Sequence, residues 1–186
     1  MQRLFIGIEL SKQTKLLLNG LSVNLAGGIE NAKWVRQENI HMTLKFLGNT
    51  PDEKTEAIKQ VLQNVAARFR KFSFTLDEPG CFPREDRATV IWVGVRFGAS
   101  ELIELARVID MVLADIGFKT EKRLFKPHVT LARIKTPTPV NNVFADTDVS
   151  EIIGHVVNVA ALTVFKSTLS PKGAHYDVLA RIPLSP

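Results

Sequence analysis

Two short stretches of this sequence repeat the same residue types in the same order: His41-Met42-Thr43-Leu44 and His128-Val129-Thr130-Leu131. They lie in different halves of the chain, so no single local element holds both. Of the four histidines, only these two carry Thr at the second following position and Leu at the third. An imidazole titrates near neutral pH, so in a shared site one can accept a proton while the other donates one. Two hydroxyls beside them supply hydrogen-bond donors for an anionic oxygen. A lone His in an apolar strand is usually a structural residue. The repetition is what argues for chemistry.

Other chemistries fit less well. Structural zinc sites want four Cys or His ligands and catalytic sites usually three protein ligands, whereas the single Cys here is isolated and no His-x-x-x-His occurs. No Ser or Cys sits in a Gly-flanked strand-to-helix turn of the kind that exposes a nucleophile. Metal-free acid–base catalysis, with no cofactor, is the expectation.

The elements that hold these residues read as strands. Residues 40–47 and 128–134 are apolar and β-favouring, and side chains at i and i+2 of a strand share a face. His41 and Thr43 then point one way, as do His128 and Thr130, while Met42, Leu44, Val129 and Leu131 point to a core. The same parity puts Lys45 beside His41, either as a charge attracting phosphate or as a solvated strand-end lysine. It puts Arg133 on the face opposite His128, unless a bulge returns it. Phe125, Phe46 and Tyr176 are candidates to stack a base, although aromatics beside strands commonly belong to the core. His155 and His175 lack the following Thr and read as structural, and nothing near Cys81 activates it.

The chain has 186 residues, 45% of them hydrophobic and 23% charged, which is ordinary for a globular protein and enough for one core. A net charge of +5 suits a polyanionic partner without demanding one. The lone cysteine excludes an internal disulfide and suits a reducing compartment, and no segment is long and apolar enough to span a membrane. The expectation is a cytoplasmic monomer with no membrane partner, forming a single two-lobed domain over 1–186.

Along the chain, a buried strand over 3–10 precedes a helix capped by Ser11 and ended by Gly27-Gly28, with Leu16, Leu17, Val23 and Leu25 facing a sheet. Strands follow over 32–36 and 40–47. Thr50, Pro51 and Glu53 then read as N-cap, N1 and N3 of a second helix reaching about Arg70. A strand over 72–76, a loop over 79–87 and a strand over 89–95 lead to a third helix, capped by Ser100 and closed by Gly117. After the second signature, Thr136-Pro137-Thr138-Pro139 breaks the strand and residues 140–145 form a short helix. Residues 156–169 form one long or bent strand, and a turn at Ser170-Pro171-Lys172-Gly173 returns it over 176–182. Each half holds strands, a helix and one signature. The architecture expected is α+β: two similar lobes, each an antiparallel sheet with helices outside, facing one another across a cleft.

The doubled signature resembles the two-histidine phosphoesterase superfamily, specifically its RNA 2′,3′-cyclic phosphodiesterase branch of LigT-like 2′-5′ RNA ligases. The resemblance spans nearly the whole chain. It includes Arg3-Leu4-Phe5-Ile6-Gly7, Trp34-Val35, Glu38-Asn39-Ile40 before the first signature, and Gly80-Cys81-Phe82-Pro83. It continues through Val90-Ile91-Trp92-Val93-Gly94, Phe125-Lys126-Pro127 before the second signature with Ala132-Arg133 after it, and Leu169, Gly173 and Tyr176. The resemblance implies a bilobal fold with one His-x-Thr from each lobe lining the cleft. It implies hydrolysis of a 2′,3′-cyclic phosphate on RNA (tRNA among the candidates) to a 2′-phosphate, with His41 as acid and His128 as base. Thr43 and Thr130 would hold the phosphate oxygens, and the resemblance also favours Arg133 near the phosphate. Reversal would join such an end to a 5′-hydroxyl through a 2′-5′ linkage. Two alternatives stay open: another cyclic or 2′-5′-linked nucleotide as substrate, or an RNA-binding module with little turnover.

Overall fold

The computed structural model describes residues 1–171 and 173–186. Lys172, one residue of the expected turn, lies outside the described residues. The elements are β1 (Gln2–Glu9), α1 (Lys12–Ala26), β2 (Ala32–Trp34), β3 (His41–Thr50), α2 (Lys54–Ala66), β4 (Phe72–Phe82), β5 (Ala88–Val95), α3 (Ala99–Asp115), β6 (Val129–Thr138), α4 (Asn141–Ala145), β7 (Val156–Val159), β8 (Ala161–Ser170) and β9 (Gly173–Pro183). The strands build two antiparallel sheets, ordered β3-β1-β8-β9 and β2-β6-β5-β4-β7. The fold is α+β, with one signature in each sheet. β3 is an edge strand, and it lies against β6 of the other sheet.

Local sequence explains most boundaries. The Ser11 hydroxyl accepts from the Thr14 amide at 3.1 Å and starts α1, whose buried side chains are Thr14, Leu18, Leu21, Ser22 and Leu25. Leu16 and Val23, expected on that face, are exposed. α2 starts later than its capping signals suggest. Thr50 stays in β3 with its hydroxyl donated to the Gly48 carbonyl, so residues 51–53 form a turn and the helix begins at Lys54. α3 is preceded by Gly98 at φ 81°, not by a Ser100 cap; the Ser100 hydroxyl bonds Glu101 instead. A Cβ at Gly98 would lie 2.6 Å from the Ser73 carbonyl oxygen, so glycine is required there for space as well as for φ.

Three strand expectations need correction. β4 runs on to Phe82 and absorbs the first part of the expected loop, with its register shift at Leu76/Pro79 accommodating the proline. β6 likewise passes Pro137 and ends at Thr138. The long strand over 156–169 is two strands in different sheets: β7 pairs with β4, and after Ala160 β8 pairs with β1.

The lobes are not the two halves of the chain. α1 follows a strand of the four-stranded sheet but packs on β6, and α3 follows β5 but packs on β3. α2 covers β8 and β9, while the Val143 methyls of α4 close over Gly28 at the end of α1. Buried apolar side chains from both sheets belong to one continuous core. Among the described residues, no helix is long and apolar enough to cross a membrane.

Candidate active site

His41 opens β3 at the end of a single helical turn, Gln37–Asn39. Its Nδ1 donates to the Asn39 carbonyl at 2.6 Å, and its Nε2 meets the Thr43 hydroxyl at 2.8 Å. His128 immediately precedes β6, and its Nδ1 donates to the Lys126 carbonyl at 2.7 Å. Each imidazole is thus fixed by the carbonyl two residues before it. That acceptor puts the proton of the neutral ring on Nδ1 and leaves Nε2 as the basic nitrogen. In the neutral state Thr43 donates to Nε2 of His41; once His41 is protonated, the same hydroxyl must accept. Thr130 has no equivalent bond among the described residues.

The surroundings of the two rings differ. His41 is packed among aromatics, with ring centroids 4.8 Å from Phe5, 5.5 Å from Phe165 and 5.2 Å edge-on from Tyr176. Gly7 makes room in this floor: a Cβ there would meet the Met42 carbonyl oxygen at 2.5 Å. Burial pushes the His41 imidazole down to about 4; the Asn39 carbonyl opposes this and the Lys15 charge adds to it. His128 stands edge-on to Phe82 at 5.2 Å and near Trp92 at 6.1 Å. The Trp92 ring lies directly on Gly80, where a Cβ would be only 2.3 Å away. Burial lowers the His128 imidazole as well, opposed by the Lys126 carbonyl and reinforced by the charges of Lys126 and Arg133. The Lys126 ammonium sits 4.2 Å from the Trp92 ring centroid.

A matched irregularity decides what else faces the site. In β3, Thr43 pairs with Gly7 but Lys45 pairs with Ile6, so Leu44 is an extra residue. In β6, Thr130 pairs with Trp92 but Ala132 pairs with Ile91, so Leu131 is an extra residue. Each signature therefore carries a one-residue bulge at its Leu, and alternation reverses beyond it. Lys45 and Ala132 turn into the core, while Phe46 and Arg133 turn back to the faces of His41 and His128.

Two expectations fall with this reversal. Lys45 does not line the site face. It is 2% exposed, its ammonium paired with Asp110 of α3 and bonded at 2.7 Å to the Lys119 carbonyl. Arg133 does not face away. Its charge is felt at His128 and also at Tyr176, whose phenol is raised by burial and lowered by Arg133 and Arg3. Since Tyr176 abuts His41, Arg133 lies within electrostatic reach of both signatures. Phe125 is part-buried and packs against the hydrophobic core. Tyr176 stands against His41 as described, and Trp92, Phe82 and Lys126, which strand parity alone did not single out, surround His128. Among the described residues, no group of three His, Cys, Asp or Glu side chains converges as a metal site.

Comparison with known proteins places this arrangement. The chain matches the family described as LigT like Phosphoesterase over residues 8–92 and 94–176, which include both signatures. It is 36% identical over 154 residues to an Aeropyrum pernix protein named RNA 2′,3′-cyclic phosphodiesterase, a match covering 81% of this chain and 85% of that one. A crystal structure from Thermus thermophilus superposes with a TM-score of 0.83 at 26% identity, covering 98% of this chain and 97% of the other. Escherichia coli LigT complexed with 3′-AMP superposes with a TM-score of 0.78 at 26% identity, covering 100% and 99%.

Two outcomes follow from this geometry. His41 in the ligand-free protein should stay neutral down to about pH 4 in an NMR titration of its imidazole, and saturating inorganic phosphate should raise that midpoint. Because the unfolded imidazole protonates near pH 6.5, folding stability should fall as pH drops from about 6.5 toward about 4; an unshifted His41 midpoint would contradict the desolvation argument. Second, Asp110→Ala strands the buried Lys45 ammonium and should cost about 3 kcal/mol in urea unfolding. A loss below about 0.5 kcal/mol would mean that Lys45 does not depend on this pair.

Proposed function

The chain belongs to the LigT-like phosphoesterase family, and from that premise we propose that it hydrolyses RNA 2′,3′-cyclic phosphate ends to 2′-phosphates. The observation that carries the reading is the pair of imidazoles, each with Nδ1 tied to a backbone carbonyl so that Nε2 is the reacting nitrogen. Water attacks phosphorus as His128 Nε2 takes its proton. The bond from phosphorus to the 3′ oxygen breaks, and His41 Nε2–H protonates that oxygen, leaving the phosphate on the 2′ oxygen. Thr43, Thr130 and Arg133 stabilise the charge that builds on the non-bridging oxygens.

The roles of the two histidines follow the family pattern, and their surroundings are consistent with it. An imidazolium held among Phe5, Phe165 and Tyr176 is a strong acid, ready to release its proton. The substrate's negative charge, brought into the same apolar setting, offsets the cost of charging His41 on binding. His128, beside Lys126 and Arg133, is held neutral and fit to act as base. The proposed step needs no metal, because the two imidazoles supply both proton transfers. Run in reverse, the same groups join a cyclic phosphate end to a 5′-hydroxyl through a 2′-5′ linkage. RNA, including tRNA ends, is the proposed partner, and a monomer suffices because one chain supplies both signatures.

The test is a pH–rate series with a nucleoside 2′,3′-cyclic phosphate. His41→Ala and His128→Ala should each lose about 10²–10⁴-fold in kcat. Thr43→Ala and Thr130→Ala should lose roughly tenfold to a few hundredfold, and the double His variant should be little worse than the poorer single one. Near wild-type turnover in either His variant makes that histidine structural and ends the paired mechanism. Below both free-enzyme midpoints there is no base, and above both there is no acid. With both imidazoles depressed, kcat/KM should peak on the acidic side of about pH 6.5. A maximum well above that value is incompatible with these surroundings. Activity should also persist in excess chelator; loss that zinc or manganese restores overturns the metal-free step.

A further inference from the structure

The bulge at Leu44 brings out a second feature of the same face. Phe46 is 58% exposed, an unusual state for a Phe in a paired strand, and its ring lies 6.0 Å from Phe5, which in turn touches His41. Phe46 forms one wall of an open groove of about 830 Å³. The opposite wall is the loop after α3, carrying Lys119, Lys122 and Arg123, all exposed. None of these three cations is in an ion pair among the described residues. The next residue, Leu124, is 99% exposed.

The backbone of this loop is held from below. Its Glu121 amide donates to both Asp110 carboxylate oxygens at 3.2 Å, and its Lys119 carbonyl accepts from Lys45 at 2.7 Å. Both walls run on to the signatures: β3 leads from Phe46 back to His41, and the loop leads forward from Arg123 to His128.

We propose that this groove binds the single-stranded RNA immediately 5′ of the terminal nucleotide, with Phe46 as a base platform and Lys119, Lys122 and Arg123 as backbone-phosphate contacts. The inference rests on the reading of the cleft as a cyclic phosphodiesterase. A 2′,3′-cyclic phosphate occupies the 3′ end of a strand, so the rest of the polymer leaves the cleft in one direction only. An exposed aromatic followed by unneutralised cations is the surface that single-stranded nucleic acid uses, through stacking and phosphate attraction.

The experiment compares a nucleoside 2′,3′-cyclic phosphate with a short single-stranded oligoribonucleotide bearing the same end. Wild type should show the lower KM for the oligonucleotide. The Lys119→Gln/Lys122→Gln/Arg123→Gln variant should raise that KM roughly tenfold to a hundredfold, with the nucleoside reaction unchanged. Its log–log dependence of kcat/KM on salt should be shallower by about 2 for the oligonucleotide alone. Equal KM values for both substrates in wild type, or equal effects of the triple substitution on both, would overturn the groove. If wild type turned over neither substrate, the cyclic phosphodiesterase reading would fail separately. The groove would then be judged by anisotropy with a labelled single-stranded oligoribonucleotide, and equal Kd for wild type and the triple variant would refute it.

Discussion

One extra residue within each of the two signatures organises this molecule. Without the bulges at Leu44 and Leu131, strict alternation would leave Lys45 on the same face as His41 and Thr43, and Arg133 in the core. With them, each signature presents three positions to its face: the His, the Thr and the residue five after the His. The same bulge has opposite chemical results in the two sheets, because that last position is Phe46 in one and Arg133 in the other. Two strands of matching local geometry thus present an apolar residue beside one signature and a cation beside the other.

The difference extends to the imidazoles. Both are oriented alike, by a carbonyl two residues upstream, and that common restraint selects Nε2 in each. Their environments then separate them. Phe5, Phe165 and Tyr176 crowd His41 and make its charged form costly, so its midpoint falls to about 4. His128 is burdened by burial together with the positive charges of Lys126 and Arg133. An incoming phosphate answers both kinds of cost, since an anion favours an imidazolium and neutralises the nearby cations. In the proposed mechanism, substrate charge thereby becomes part of the proton-transfer machinery.

Behind β3, the core-facing Lys45 ties the signature strand to α3 and to the loop that leads into His128. Its ammonium reaches Asp110 and the Lys119 carbonyl, and Asp110 receives the Glu121 amide. A buried ion pair is weak grounds for stability in itself. Here its position links an element of one signature to the approach of the other, which the exposed loop residues could not do from the solvent side.

Much of this was legible in the residues. The alternation in both signatures placed His and Thr together, the Ser11 cap marked α1, Gly117 marked the end of α3, and the mixture of helices and antiparallel strands specified α+β. These follow from local dihedral preferences and hydrogen bonding, which neighbouring residues determine. The faces of Lys45 and Arg133 were not legible, because a bulge is a property of pairing between strands and the partners Ile6 and Ile91 are remote in sequence. Nor was the crossing of α1 and α3 to the opposite sheet, or the split of residues 156–169 between sheets, since a helix stripe states that it must be buried and not against what. Sequence determined the candidate reactive groups and their immediate backbone. Only tertiary structure decided which side chains join them and how far each imidazole's affinity for a proton is displaced, because burial and charge at a site are sums over residues that the chain brings together from a distance.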